Sequence, residues 1–256
     1  MTGNRIAVVT GATRRGGIGS AICRALAESG IDIFFTHWNP YDAEMPWGAD
    51  EDGPGALQRE IAAMGVRCEE MQMDQSGPSA AAAILDEAGK RRGAPCILVN
   101  NAAVSTDTDV DTLDVASLDA HYAVNVRTMA LLCVELGRRF QGKSGGRIIN
   151  MTSGQSLGPM PGELAYAASK GAVEALTISL APPLARRGIT INAVNPGPTD
   201  SGWMNDEIRD VLRPKFAFGR IGEPMDAARL VRFLASDDAA WITGQIIHSE
   251  GGFERQ

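Results

Sequence analysis

Tyr166 and Lys170 stand four positions apart in Tyr166-Ala167-Ala168-Ser169-Lys170. On a helix that spacing brings both side chains to one face. A free tyrosine has a pKa of about 10 and is a poor acid or base at neutral pH. A lysine ammonium beside it favours the tyrosinate and lowers that value. The pair reads as a group that gives or takes a proton near neutrality. Taken alone, it also fits two ordinary helix residues, and its flanks make it specific. Ser153 stands just past the apolar run Arg147-Ile148-Ile149-Asn150-Met151, where a hydroxyl can hydrogen-bond a substrate carbonyl oxygen alongside Tyr166. Asn125 lies upstream in a mostly apolar helical pattern, and its middling helix propensity calls for a reason.

A second constellation lies near the N-terminus. The first apolar run leads into Thr10-Gly11-Ala12-Thr13-Arg14-Arg15-Gly16-Gly17-Ile18-Gly19, which opens a helical pattern. Glycines let the backbone turn tightly and approach a ligand, and the helix N-terminus offers free N–H groups and a positive dipole end. Gly11, Thr13, Arg14, Arg15, Gly17, Ile18 and Gly19 are therefore candidate contacts for a dinucleotide. A glycine cluster also fits a plain strand–helix turn, but its place after the first strand favours the dinucleotide. NAD sites usually carry an acid after the second strand for the ribose 2′-hydroxyl. This chain has Thr36-His37-Trp38-Asn39 there. Arg14 and Arg15 can pair with a 2′-phosphate, with His37 or Asn39 adding a donor. NADP(H) is the expected cofactor. NAD(H) stays open, because loop arginines often point to solvent.

The elements that must position these groups are legible as alternation. Apolar runs at residues 5–10, 31–36, 66–73, 96–100, 146–151, 189–194 and 245–248 read as strands, several apolar through most of their length. Helical patterns lie between them; in 18–29, Ile18, Ala21, Ile22, Ala25 and Leu26 keep the helical period, and Gly30 is a natural stop. Strand–helix alternation throughout predicts an α/β fold: a Rossmann-like, doubly wound, seven-stranded parallel sheet with helices on both faces, as one domain over 1–256. Such sheets bind ligands beyond the carboxyl ends of their strands, which is where the unusual residues fall.

Together these motifs resemble the short-chain dehydrogenases/reductases, and the resemblance covers nearly the whole chain. The glycine loop is similar to the family's TGxxxGxG, with two extra residues between Gly11 and Gly17. Asn100-Asn101-Ala102-Ala103 resembles NNAG, with Ala103 in place of the glycine, and Asn125, Ser153, Tyr166 and Lys170 match the Asn-Ser-Tyr-Lys tetrad. The resemblance implies that Tyr166 is the general acid/base and that Ser153 orients and polarises the substrate. It implies that Lys170 lowers the Tyr166 pKa and binds the nicotinamide ribose, and that Asn125 helps hold a proton-relaying water. It also implies cofactor contacts at Asp74 and Gln75, at Asn101, Ala102 and Ala103, and at Pro196 and Gly197, with Thr199 or Ser201 on the carboxamide. Asp74 equally fits a turn before Ser76-Gly77-Pro78. Within the family the chain most resembles proteins called 3-oxoacyl-acyl-carrier-protein reductases, and a homotetramer or homodimer is implied.

Composition narrows the partners. The net charge of -7 argues against nucleic acid and offers no evident basic dock for an acidic carrier protein. Four scattered cysteines show no metal spacing and suggest a reducing compartment. With no membrane-length apolar run and no signal-peptide pattern, a cytoplasmic protein is expected. The expected reaction moves a hydride between NADP(H) and a small carbonyl or alcohol substrate, a 3-oxoacyl thioester among them. Alternatives are an NAD-preferring sugar or alcohol dehydrogenase, a non-catalytic cofactor sensor or scaffold, and an isomerase or dehydratase on the same fold. Residues 38–54 hold Trp38, Tyr41, Trp47 and several acids. This long segment covers the adenine end of the cofactor, mediates subunit contact, or is a packed surface loop. Ala181-Pro182-Pro183 predicts a bend or early end of the helix carrying Tyr166. The segments 155–164 and 202–218 are expected to form the substrate pocket, the second as a mobile lid.

Overall fold

Alternating apolar side chains build two cores with a sheet between them. The structure is a computed structural model and describes residues 5–255; the ends of the expected domain, 1–4 and 256, lie outside the described residues. The strands are β1 (Ile6–Val9), β2 (Asp32–His37), β3 (Cys68–Gln72), β4 (Ile97–Asn100), β5 (Gly146–Met151), β6 (Ile189–Asn195) and β7 (Ile246–His248). All pair in parallel, in the order β3-β2-β1-β4-β5-β6-β7. In β1, Ala7 and Val9 enter one core and Val8 the other; Phe35 and Phe34 of β2 divide in the same way. That two-residue period on strands without a polar face is what cover on both sides requires.

The helices supply the cover. They are α1 (Ile18–Ala27), α2 (Asn39–Glu44), α3 (Gly53–Ala63), α4 (Ala80–Arg92), α5 (Val115–His121), α6 (Met129–Arg139), α7 (Leu164–Ala185), α8 (Asp206–Leu212) and α9 (Pro224–Ala235). Ile22 and Leu26 of α1, Leu57 and Ile61 of α3 and Val231 of α9 close the first core. Ile84 of α4, Leu132 of α6 and Val173 of α7 close the second. Fully burying one such aliphatic side chain contributes about 1.5–3 kcal/mol, so both cores fix the strand ends firmly. The chain winds outward from β1 to β3, then returns to place β4 on the other side of β1. The switch point is therefore between β1 and β4, and the crevice lies at their carboxyl ends.

The sheet and its class are as expected, with three local differences. The α7 helix does not end near Ala181; it continues to Ala185 with both prolines inside it. Buried Ala181 and Leu184 hold that last turn against the core, while Pro182 and Pro183 sit on its exposed side, where water can satisfy the freed carbonyls. Residues 38–54 are not one loop: they contain α2 and the start of α3. The helical pattern around Asn125 is a π segment, Tyr122–Thr128, between α5 and α6. Wide turns of this kind gather at functional sites. No helix among the described residues is long and apolar enough to cross a membrane.

Candidate active site

The glycine loop leaves β1 and needs its glycines for space. Gly11 has φ +73°, and a Cβ on it would lie 2.6 Å from the Ala102 Cα. A Cβ on Gly19 would lie 2.5 Å from the Gly11 carbonyl oxygen and 2.7 Å from the Asn101 amide nitrogen. The Asn101 side-chain amide donates to the carbonyls of Thr10 (3.0 Å) and Gly11 (2.8 Å), tying the segment after β4 to the loop. Asn100 works one strand further along, donating to Asn150 of β5 at 2.8 Å. Gly17 caps α1 without a side-chain hydrogen bond, and the first turn holds no acid. A bare helix start facing a close-packed glycine turn fits a dinucleotide pyrophosphate.

That start opens into a cleft of about 410 Å³. Of the expected cofactor contacts, Gly11, Thr13, Arg14, Gly17, Ile18, Gly19, His37, Asp74, Gln75, Asn101, Ala102, Ala103 and Ser201 line it. Asp74 also makes its turn, accepting from the Ser76 N–H at 2.8 Å. Arg15 is not there: it points outward and pairs with Asp50 at 3.0 Å. Arg14 is, but its guanidinium lies 3.2 Å from Asp42, donates to the Ser201 carbonyl at 2.8 Å and stacks 4.6 Å over Trp47. His37 holds Glu70 at 2.6 Å and Asn39 at 3.2 Å. Tyr41, Asp42 and Glu44, none of them among the expected cofactor contacts, line the same cleft from α2; cover of the adenine end was one of three readings of 38–54.

Beside this cleft, and outside its lining, stand the proton-handling groups. β5 delivers Ser153, and the first turns of α7 deliver Tyr166 and Lys170. The Ser153 side chain stands beside the Tyr166 hydroxyl. Lys170 is 3% exposed, donates to the Met151 carbonyl at 2.8 Å and lies 5.4 Å over the Tyr166 ring. Burial pulls its ammonium down to about 8. Burial also pushes the Tyr166 hydroxyl above its usual range, Glu163 adds to this, and Ser153 opposes it. The chain by itself therefore raises the tyrosine where the sequence led us to expect lowering. The reason is desolvation of both partners, with the ammonium turned toward a carbonyl.

Asn125 exchanges two hydrogen bonds with the Val104 backbone at 2.8 Å each and donates to Ser169 at 2.9 Å. It fastens the segment after β4 to α7. Pro196, Gly197 and Thr199 lie outside the cleft-lining set, on the segment after β6. Thr199 is buried there, donating to the Pro196 and Gly197 carbonyls.

Comparison with known proteins places this geometry. The family model described as enoyl-(acyl carrier protein) reductase matches residues 11–254. An uncharacterised oxidoreductase of Bacillus subtilis is 59% identical, over 98% of this chain and 97% of its own. An NADPH-dependent aldehyde reductase-like protein from Arabidopsis thaliana chloroplasts is 38% identical, covering 97% and 94%. A 3-oxoacyl-[acyl-carrier-protein] reductase of Staphylococcus epidermidis is 33% identical, covering 97% and 98%. Among solved structures, a blue fluorescent protein from a metagenomic library in complex with NADPH superposes with a TM-score of 0.87, at 31% identity and 98% coverage of both chains.

Proposed function

This chain is a member of the short-chain dehydrogenase/reductase family of oxidoreductases, and from that premise we propose that it is an NADP(H)-dependent reductase of small carbonyl compounds. The observation that carries the reading is the buried Lys170 ammonium, 5.4 Å over the Tyr166 ring, with Ser153 beside the Tyr166 hydroxyl. The bare α1 start and glycine turn would hold the pyrophosphate, Arg14 would meet the 2′-phosphate, and Lys170 the nicotinamide ribose. The NADPH in the superposed structure and the NADPH-dependent relative support that choice. When bound, the cofactor supplies or accepts the hydride.

The chain's own residues do the rest. Ser153 donates to the substrate oxygen and holds it against the Tyr166 hydroxyl. Tyr166 gives its proton to that oxygen as the carbonyl becomes an alcohol, and takes it back in the reverse direction. Lys170 stabilises the tyrosinate left behind. Asn125 keeps α7 in register with the cleft wall and, with Lys170, lines the route by which a water returns the proton. The segments 155–164 and 202–218 flank the substrate; Met204 and Phe216 are buried there and Trp203 is half-exposed, suiting a partly apolar carbonyl compound such as an aldehyde, a ketone or a 3-oxoacyl thioester.

The test is NADPH oxidation against aldehydes, ketones, 3-oxoacyl thioesters and sugars, repeated with NADH. Turnover with a clear NADPH preference is expected. Cofactor binding without turnover on any member would favour a sensor, and equal use of NADH would remove Arg14 from the 2′-phosphate. Exposed Leu118, Tyr122, Leu131 and Ile178 on α5, the π segment, α6 and α7 support a homotetramer or homodimer packed through those helices; a monomer by light scattering would refute it. Four free cysteines support a reducing, cytoplasmic setting.

A further inference from the structure

Residues 38–52, between β2 and α3, do more than connect them. The segment turns into α2, whose Tyr41, Asp42 and Glu44 face the same cleft as the glycine loop. Two ties then hold it, one of them across that cleft. The Tyr41 hydroxyl accepts from the Ser105 N–H at 3.1 Å and donates to the Ser105 carbonyl at 3.2 Å. Tyr41 follows β2 and Ser105 follows β4, and those strands flank β1 on opposite sides. The contact therefore passes over the end of β1, where the glycine turn opens.

The second tie starts in the glycine loop. Arg14 lies 3.2 Å from buried Asp42, stacks on Trp47, and reaches the Ser201 carbonyl beyond β6 at 2.8 Å. Trp47 in turn donates its indole N–H to Asp42 at 2.8 Å. Outside the cleft, Arg15 pairs with Asp50. On the inner side, Gly53 sits so close to the Thr13 carbonyl that a Cβ would approach it to 2.8 Å. The segment is bound to the glycine loop at several points and to the far rim at Tyr41–Ser105, while Arg14 of the glycine loop itself reaches the rim at Ser201. A dinucleotide stretched from the β2–β3 side to the Ser153–Tyr166 side has to lie beneath the Tyr41–Ser105 contact.

We propose that residues 38–52 form a strap over the cofactor, with Tyr41–Ser105 as its releasable latch, so that cofactor enters and leaves only when the strap opens. This rests on the NADP(H) reading above. The latch is a pair of neutral hydrogen bonds at one tyrosine hydroxyl, while the root of the strap is held by charge, packing and a cation–π contact. Opening therefore starts with release of the Tyr41 hydroxyl, while the next residue, Asp42, stays tied to Arg14 and Trp47.

A gate and a simple contact differ in their kinetics. Losing a contact speeds release alone. Losing a latch that is closed in the free protein speeds both entry and release, and Kd moves less than either rate. The experiment is stopped-flow binding of NADPH to wild type and Tyr41→Phe, read by the fluorescence of bound NADPH. Both rates are expected to rise about five- to thirtyfold, the equivalent of one to two neutral hydrogen bonds. Hydrogen–deuterium exchange of 38–52 is the second measurement, and NADPH is expected to slow it. Faster release with unchanged entry, or unchanged rates for both, would overturn the strap while leaving the cofactor reading intact. Exchange indifferent to NADPH would do the same. A wild type that binds neither NADPH nor NADH would sink the cofactor reading, and the strap with it.

Discussion

The two ends of the cleft treat charge in opposite ways. At the glycine-loop end, the charge in the cleft meets a counter-charge, Arg14 with Asp42, and the outer side of the loop is paired likewise, Arg15 with Asp50. At the tyrosine end, the Lys170 ammonium is buried on a carbonyl, and the Tyr166 hydroxyl is raised by burial and by Glu163. The first arrangement stabilises a binding surface in advance of its ligand. The second buries an ammonium whose charge its surroundings disfavour, beside a hydroxyl that they hold protonated. In a protein that moves protons, strained ionisation belongs at the reacting atoms.

The sharpest way to break that contrast is to remove its reacting group. Tyr166→Phe keeps the ring and deletes the proton. Turnover is expected to fall about a thousandfold while NADPH titration gives an unchanged affinity; near-normal turnover would end the assignment. Lys170→Met tests the strain itself. Catalysis is expected to fall about a hundredfold, yet the protein should become more stable. The ammonium is held near 8 against 10.5 when free, so folding it charged costs roughly 3 kcal/mol. Removing it recovers that, less about 1–2 kcal/mol for the abandoned Met151 carbonyl. A melting temperature raised by a few degrees at pH 7 is the expected reading. The sign of the pH dependence follows. Between pH 8 and 10.5 the unfolded lysine binds a proton that the folded one has lost, so wild-type stability rises across that window and the variant's does not. A lowered melting point would mean that Lys170 is a structural ion.

How much of this was legible in the sequence divides along the same line. Tyr166, Lys170, Ser153 and the glycine turn could be read because their spacing within one segment fixes their geometry. The strands could be read because short apolar runs between helical patterns need no distant information. The partners of Arg14 and Arg15 could not, since they depend on how 38–52 folds back on the loop. The raised tyrosine was equally hidden, because burial is a property of packing between segments far apart in the chain. The prolines suggested an early end that α7 does not take, because their cost depends on which side of the helix faces water. The π segment escaped because a one-residue widening of a helix leaves the apolar pattern almost intact.

A smaller effect sharpens the comparison at the catalytic loop. Arg255 binds Glu250 at 2.8 Å through Nη1, and a Cβ on Gly154, next to Ser153, would collide with the other head nitrogen. Glu250 accepts from Asn195 at the end of β6 at 2.8 Å. The arginine thus pins the Ser153 loop to two neighbouring strand ends. Arg255→Ala is expected to lower kcat roughly tenfold through a displaced Ser153, with NADPH affinity unchanged. Gly154→Ala should act through the same arginine, so the two substitutions together should cost less than the sum of each alone. Additive losses would show that Arg255 and Gly154 act independently.

The smallest expected effect isolates one contributor to the raised tyrosine. Glu163 precedes α7, is itself raised by burial and by Asp107, and opposes the tyrosinate by its charge. Glu163→Gln removes that charge and keeps the shape. The tyrosinate then forms more easily, so the pH midpoint of alcohol oxidation should move down, while the reduction rate at pH 7 changes little. Burial is the larger cause of the raised Tyr166, and the substitution leaves it in place, so the shift should be partial. A midpoint that stays still would show that the charge is screened before it reaches the hydroxyl. One that moves up would mean that Glu163 holds the substrate or a proton-relaying water, and the tyrosine end would then be tuned by what it binds.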